Sequence, residues 1–170
     1  MSSREGFTLI ELLVCVAVLA ISIALALPNY GSKVQRQKAD SAASLLQLML
    51  NDARAIAVTR GVPSAVCASA DRATCIGSST WHTAALVFAD HNADGLRQLS
   101  EAIDQTIELG QARVFSSVGR TSARFRIDGS AYGSNLTLAV CEQEGQATRL
   151  IVANSGRIRV ERKRPEPRCA

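Results

Sequence analysis

Twenty-one consecutive residues carrying a single charge, from Phe7 to Leu27, constrain this chain more than anything else in it. Wound as a helix rising 1.5 Å per residue, the run measures about 30 Å, the thickness of a bilayer's hydrocarbon core. The six residues ahead of it are polar and include Arg4. Positive flanks stay on the cytoplasmic side, so the N-terminus is expected in the cytoplasm and the remainder outside it. An ordinary secretory signal is cut after its apolar stretch. Here the only small-residue junction, Gly6-Phe7, comes before it, so cleavage there keeps the helix. The one charge is Glu11, which costs about 3 kcal/mol inside an apolar helix. A suitable counter-charge is a neighbouring subunit's α-amino group, because cleavage after Gly6 creates an amine four residues before Glu11. The plainer alternative is a glutamate that snorkels to the membrane face.

Gly6-Phe7-Thr8-Leu9-Ile10-Glu11-Leu12 resembles the type III (prepilin) signal of type IV pilins and type II secretion pseudopilins. The resemblance implies that a prepilin peptidase cuts after Gly6 and methylates Phe7, and that Glu11 aids docking into a filament. It also matches Pro28 to a proline that loosens the helix, since proline removes a backbone donor and bends the preceding turn.

Beyond Pro28 the sequence turns amphipathic. Leu45, Leu48, Met49, Asp52/Ala53 and Ile56 recur at three- and four-residue steps, with Arg36, Lys38, Asp40, Gln47, Asn51 and Arg54 on the other side. The pattern predicts a helix to about Arg60, stopped by Gly61-Val-Pro63. Short apolar runs then follow at 65–68, 84–89, 106–109, 113–117, 123–128, 136–141, 149–153 and 157–161, separated by Gly, Asn, Asp or Ser, which predicts antiparallel sheet. Arg124-Phe125-Arg126-Ile127 and Arg157-Ile158-Arg159-Val160 alternate strictly, placing arginines on the wet face and apolar residues on the face the helix covers. The expected class is α+β, a pilin fold whose long N-terminal helix spans the membrane with its first half and packs on an antiparallel head. Its divisions are a leader over 1–6, a transmembrane helix over 7–27, an amphipathic continuation over 28–60, and a β head with a basic tail over 61–170.

Cys15 lies in the apolar helix and leaves Cys67, Cys75, Cys141 and Cys169 in the exported part. Disulfides suit that compartment, and four cysteines allow three connectivities. Cys67–Cys75, closing a small loop, and Cys141–Cys169, tying the tail to a strand, are favoured over free thiols or zinc, because the Cys67 to Cys75 gap fits no common zinc-ligand spacing and only His82 and His91 could assist.

No catalytic set stands out, so no enzyme, cofactor or resident metal is expected; His82 and His91 read as loop residues. Asp90-His-Asn92-Ala-Asp94-Gly95 with Glu101 matches the EF-hand calcium-loop pattern literally. An EF-hand needs flanking helices, however, and Ala84–Ala89 reads as a strand, so a polar turn is the favoured reading. The charge pattern points elsewhere. The chain carries a formal +4, and residues 154–170 hold six positive and two negative side chains while the rest balances at 13 against 13. In Asn154-Ser-Gly156-Arg157-Ile158-Arg159, a turn feeds a strand that sends two guanidinium groups to one side about 7 Å apart, a fork suited to successive phosphates. Arg162, Lys163 and Arg164 extend the positive track. Charges that keep an edge strand soluble would look the same.

The arrangement of Cys67, Cys75, Trp81, Leu86-Val-Phe88-x-Asp90, Leu136-x-Leu-x-x-Cys141 and Gly156-Arg157-Ile158-Arg159 is similar to the GspH/FimT branch of minor pilins. FimT-like members are implicated in DNA uptake during natural transformation, and the resemblance makes Gly156, Arg157 and Arg159 their DNA-contacting Gly-Arg-x-Arg element. The leading expectation is a type IV minor pilin that begins in the inner membrane, joins other pilins in a filament, and holds DNA sequence-independently by its phosphates. No aromatic residue interleaves with the tail arginines along the chain, so duplex is expected to compete at least as well as single strand. The alternatives are a structural minor pilin that primes assembly and a GspH-like type II secretion pseudopilin.

Overall fold

The computed structural model describes residues 8–26, 30–143 and 145–170. The leader, the expected cleavage junction Gly6-Phe7 and Pro28 lie outside the described residues. Two compact units are present, Met1–Val34 and Gln35–Ala170. In the first, α1 runs Leu9–Ala26. Thr8 caps it: its carbonyl accepts the N–H groups of Glu11 and Leu12 at 3.1 and 3.2 Å, and its hydroxyl lies 3.4 Å from the Glu11 N–H. Thr8 and Glu11 thus stand at the spacing of a capping box, with a carboxylate in the first turn where the helix dipole favours it. The sequence signature at the start of the apolar run is therefore also a helix-start signal. Among the described residues no helix is long and apolar enough to cross a membrane. The 18 residues of α1 span about 27 Å, and the 21-residue run extends past α1 at both ends.

The second helix, α2, covers Tyr30–Arg60. It ends as the sequence predicts, with Gly61 in the left-handed region and Pro63 beyond it. Its buried face, though, is set about one residue away from the expected one. Ala39, Ala42, Ala43, Leu46, Met49, Leu50, Ala53 and Ala57 form it, while Leu45 and Leu48 stay 42% and 55% exposed and Ile56 is only partly covered. The alanines explain the difference. Small side chains let the sheets approach the helix closely, so the face richest in alanine packs inward and two of the bulkier leucines remain outside.

Eight strands follow: β1 Ser64–Ser69, β2 Ala84–Ala89, β3 Ile103–Glu108, β4 Val114–Ser116, β5 Ser122–Phe125, β6 Leu136–Cys141, β7 Gln146–Val152 and β8 Ile158–Pro165. They make two four-stranded antiparallel sheets, in the orders β3-β2-β1-β5 and β4-β6-β7-β8. Inward residues of both sheets, among them Val66, Val87, Leu138, Val140, Leu150 and Val152, join the α2 face and Trp81 in one core. The opposite face of β1 and β2 is also dry, since Ala65, Cys67, Leu86 and Phe88 cluster with Cys75 and Ile103. This double burial is why β1 reads as a continuous small apolar run rather than an alternating one. Both expected disulfides are present, Cys67–Cys75 with S–S 2.01 Å and Cys141–Cys169 with 1.95 Å.

Every expected strand exists, β2 and β6 with the expected ends and the other six with shifted ones. The β5 strand stops at Phe125, so Ile127, expected to face the core, is 56% exposed in the turn that follows. That turn takes the chain from the first sheet to the second, and a connection cannot keep a strand's alternation. The last strand instead runs beyond Glu161 to Pro165, taking in most of the basic tail.

Candidate nucleic-acid interface

The expected phosphate fork lies on an exposed edge. β7 and β8 form a hairpin closed at Ala153–Arg157, where the Gly156 N–H donates to the Ala153 carbonyl at 2.8 Å and the Ala153 N–H to the Arg157 carbonyl at 3.0 Å. Ile158 and Val160 pack against the core, so the two-residue period turns Arg157 and Arg159 outward, and both are exposed. Neither forms an ion pair among the described residues.

Gly156 is a structural member of the motif. Its φ is +75°, and a Cβ there would stand 1.9 Å from the Gly129 carbonyl oxygen and 3.1 Å from Arg54 Nε. Two turns meet at this point. In the turn between β5 and β6, Gly129 donates to the Arg126 carbonyl at 2.8 Å, and Ser130 holds the Asp128 carboxyl below its usual pKa by hydrogen bonding. The Ala131 N–H then donates to the Asn154 carbonyl at 2.8 Å, and Arg54 Nε to the Gly129 carbonyl at 2.9 Å. Helix α2 thus contributes a third arginine beside the motif, one that its amphipathic pattern placed on the solvent side. Tyr132, 66% exposed, follows Ala131 directly, with the Arg126 guanidinium 5.4 Å from the centre of its ring. Nothing in the sequence joins residues 126–132 to 153–157; the glycines at 129 and 156 signalled turns, not their contact.

The rest of the positive track is divided. Between Glu161, paired with Arg149, and Arg164, paired with Ala147, β8 holds one residue more than β7. This bulge places Lys163 at φ +53°. Glu161 binds Arg164 at 3.3 Å. Lys163 lines a cleft of about 290 Å³ with Arg36, Glu142, Gln143 and Gln146. Arg162 is exposed. The outward pair Arg157 and Arg159 is therefore the part of the track best suited to an extended polyanion.

The C-terminus folds back over the outer face of the second sheet, where Cys169 joins Ala139, Cys141 and Ala147. Arg113 donates to the Cys169 carbonyl at 2.8 Å, Arg168 donates to the Ser116 carbonyl at 2.7 Å, and its guanidinium stands 5.2 Å from the Phe115 ring centre. The buried Glu166 receives Arg168 at 2.9 Å and Arg149 at 3.3 Å. The hydrogen bond from Arg168 lowers the Glu166 pKa, against the effect of burial. A carboxyl with a lowered folded pKa stabilises above its ordinary value and loses that contribution as pH falls through the folded one. Acidification from pH 5 to 3 is therefore expected to lower the parent's melting temperature by a few degrees more than that of Glu166→Gln. Equal pH dependence in the two proteins would remove this clasp from the stability of the tail.

The EF-hand-like segment links β2 to β3 and uses its oxygens on itself. Buried Asp90 accepts the Asp94 N–H at 3.1 Å and the Gly95 N–H at 3.0 Å, while Glu101 accepts those of His91 and Gln98, both at 2.9 Å. Burial raises the Asp90 pKa, with the Gly95 N–H opposing it. Arg97 ties the loop to its neighbour by donating to the Glu101 carbonyl at 3.0 Å and the Ala73 carbonyl at 2.6 Å. Among the described residues no three or more His, Cys, Asp or Glu are grouped to hold a metal ion. The segment is a self-capped loop. The exposed His82 packs edge-on against Phe115, with ring centres 5.3 Å apart.

The family described as type II transport protein GspH matches residues 42–156, more than half of the chain, and the prokaryotic N-terminal methylation motif matches residues 1–27. No curated protein matches. Among solved structures, the type IV minor pilin FimU of Pseudomonas aeruginosa (strain PAO1) is similar in two crystal forms, at 21% identity in both. One has a TM-score of 0.58 over 74% of this chain and 90% of that one. The other has a TM-score of 0.54 over 72% and 91%. The minor pseudopilin EpsH of the Vibrio cholerae type 2 secretion system has a TM-score of 0.50 at 13% identity, over 75% of this chain and 97% of its own. At these identities the likeness is one of fold.

Proposed function

Since the chain belongs to the GspH family and is a minor pilin or pseudopilin, we propose that it serves a type IV pilus by binding DNA sequence-independently, for DNA uptake in natural transformation. In this reading a prepilin peptidase cuts after Gly6 and methylates Phe7, and the apolar helix holds the chain in the inner membrane with the head outside the cytoplasm. Glu11 then guides it among other pilins in the filament. The observation that carries the DNA reading is the outward pair Arg157 and Arg159, in no ion pair among the described residues and set on a hairpin whose turn needs Gly156. Guanidinium groups at alternate strand positions meet successive phosphates without reading bases.

The test is binding of fluorescent DNA to the full chain in detergent, compared with Arg157→Gln/Arg159→Gln. Affinity in the micromolar range is expected for the parent, with log K falling against log salt at a slope of about −3. The double variant should bind on the order of tenfold or more weakly, with a slope nearer to about −1. Equal binding by both removes the motif from the mechanism. The fold likeness to EpsH favours a second reading, a pseudopilin of a type II secretion filament. Deleting the gene separates the two: loss of transformation with pili preserved supports the DNA role, and loss of secretion supports the other. Loss of pili points instead to a subunit that primes assembly.

A further inference from the structure

We propose that this site takes single-stranded nucleic acid in preference to duplex, with the Tyr132 ring, backed by Arg126, stacking on an unpaired base while Arg157 and Arg159 hold the adjoining phosphates. The inference rests on the DNA-binding reading and deepens it.

Along the chain the basic tail has no aromatic partner; in space it has one. The hydrogen bond from Ala131 to Asn154 and the packing of Gly156 on the Gly129 carbonyl fuse the two turns, so Tyr132 stands one residue from a backbone contact with the arginine hairpin. A tyrosine that is 66% exposed contributes little to the core, and its phenol forms no hydrogen bond among the described residues. The Arg126 guanidinium restrains the ring and adds positive charge beside it. Next to the ring is a recess of about 120 Å³, lined by Pro63, Arg124, Arg126 and Tyr132 among others. A flat apolar surface flanked by guanidinium groups is what a splayed base requires, and a paired, stacked base cannot reach it. Lys or Arg contacts alone would favour duplex, which offers phosphates at higher density, so a single-strand preference has to come from the ring.

The test measures binding of a fluorescent oligo-dT strand and of a duplex of equal length to the full chain in detergent. The single strand should bind more tightly. Tyr132→Ala should weaken single-strand binding about tenfold and leave duplex binding unchanged, and Tyr132→Phe should bind as the parent does. Arg157→Gln/Arg159→Gln should weaken both. If Tyr132→Ala weakens both probes equally, or neither, stacking is overturned while the arginine effect keeps the DNA reading intact. Binding of neither probe by the parent overturns both readings.

Discussion

Gly156→Ala is expected to destabilise the head by about 3 kcal/mol, lowering its melting temperature by roughly 10 °C, and to cost DNA affinity as well. Two effects add. An L-residue at φ +75° is strained by about 1 to 2 kcal/mol. In addition, a methyl group 1.9 Å from the Gly129 carbonyl oxygen forces one turn off the other, and that oxygen already receives Arg54. Gly119 supplies the control, since it has the same φ of +75° with nothing within 4 Å of its absent Cβ. Gly119→Ala should cost only the backbone part, about 1 kcal/mol. Thermal melting of the two variants separates strain from collision, and similar losses in both would deny the close approach at Gly156. The affinity loss follows because Arg157 is the next residue and its direction is set by the same turn.

Replacing Cys141 and Cys169 together by alanine should cost about 3.5 kcal/mol, with a comparable fall in melting temperature, because the bridge closes a loop with a sequence separation of 28. Removing Cys67–Cys75, whose separation is 8, should cost less, about 2.5 kcal/mol in the same chain-entropy picture. The larger effect also has a structural readout. Once the bridge opens, the tail is held without a covalent tie, by the clasp of Glu166, Arg149 and Arg168, the Arg168 bond to the Ser116 carbonyl and the Arg113 bond to the Cys169 carbonyl, so the backbone from Glu166 to Ala170 should exchange its amide hydrogens faster. A thiol reagent should find only Cys15 in the native chain, as it is the sole cysteine outside the bridges. Variants that melt with the parent, or additional reactive thiols, would contradict the pairing.

Much of this was legible because it depends on local chemistry. The helix stop at Gly61 and Pro63 needs only a left-handed residue and a missing donor. The eight strands needed only short runs and turn residues between them, and the outward direction of Arg157 and Arg159 follows from the two-residue period. The resemblance of Gly6 to Leu12 and of Gly156-Arg157-Ile158-Arg159 added the family and the DNA expectation. Errors arose where a choice among similar options depended on distant neighbours. Leu45 and Leu48 were as plausible an inner face for α2 as Leu46 and Leu50, until the closeness of the sheets favoured alanine. Ile127 alternated correctly, but its strand had already ended. The EF-hand pattern was literal, but the strand before it already favoured a polar turn, and its carboxylates do accept the loop's own N–H groups.

The sequence by itself determined the apolar N-terminal run, the order of helix and strands, the favoured pairing of the four cysteines beyond that run and the excess charge of the tail, since periodicity, capping and charge are read within a few residues. Only the tertiary structure decided which arginines share a surface. It set Arg54 beside Gly156, diverted Lys163 at a bulge, paired Arg164 with Glu161, and carried Tyr132 to the hairpin that bears Arg157. Those placements depend on two turns, near residues 129 and 156, approaching until only glycine fits, and close packing between remote segments leaves no periodic trace in either one.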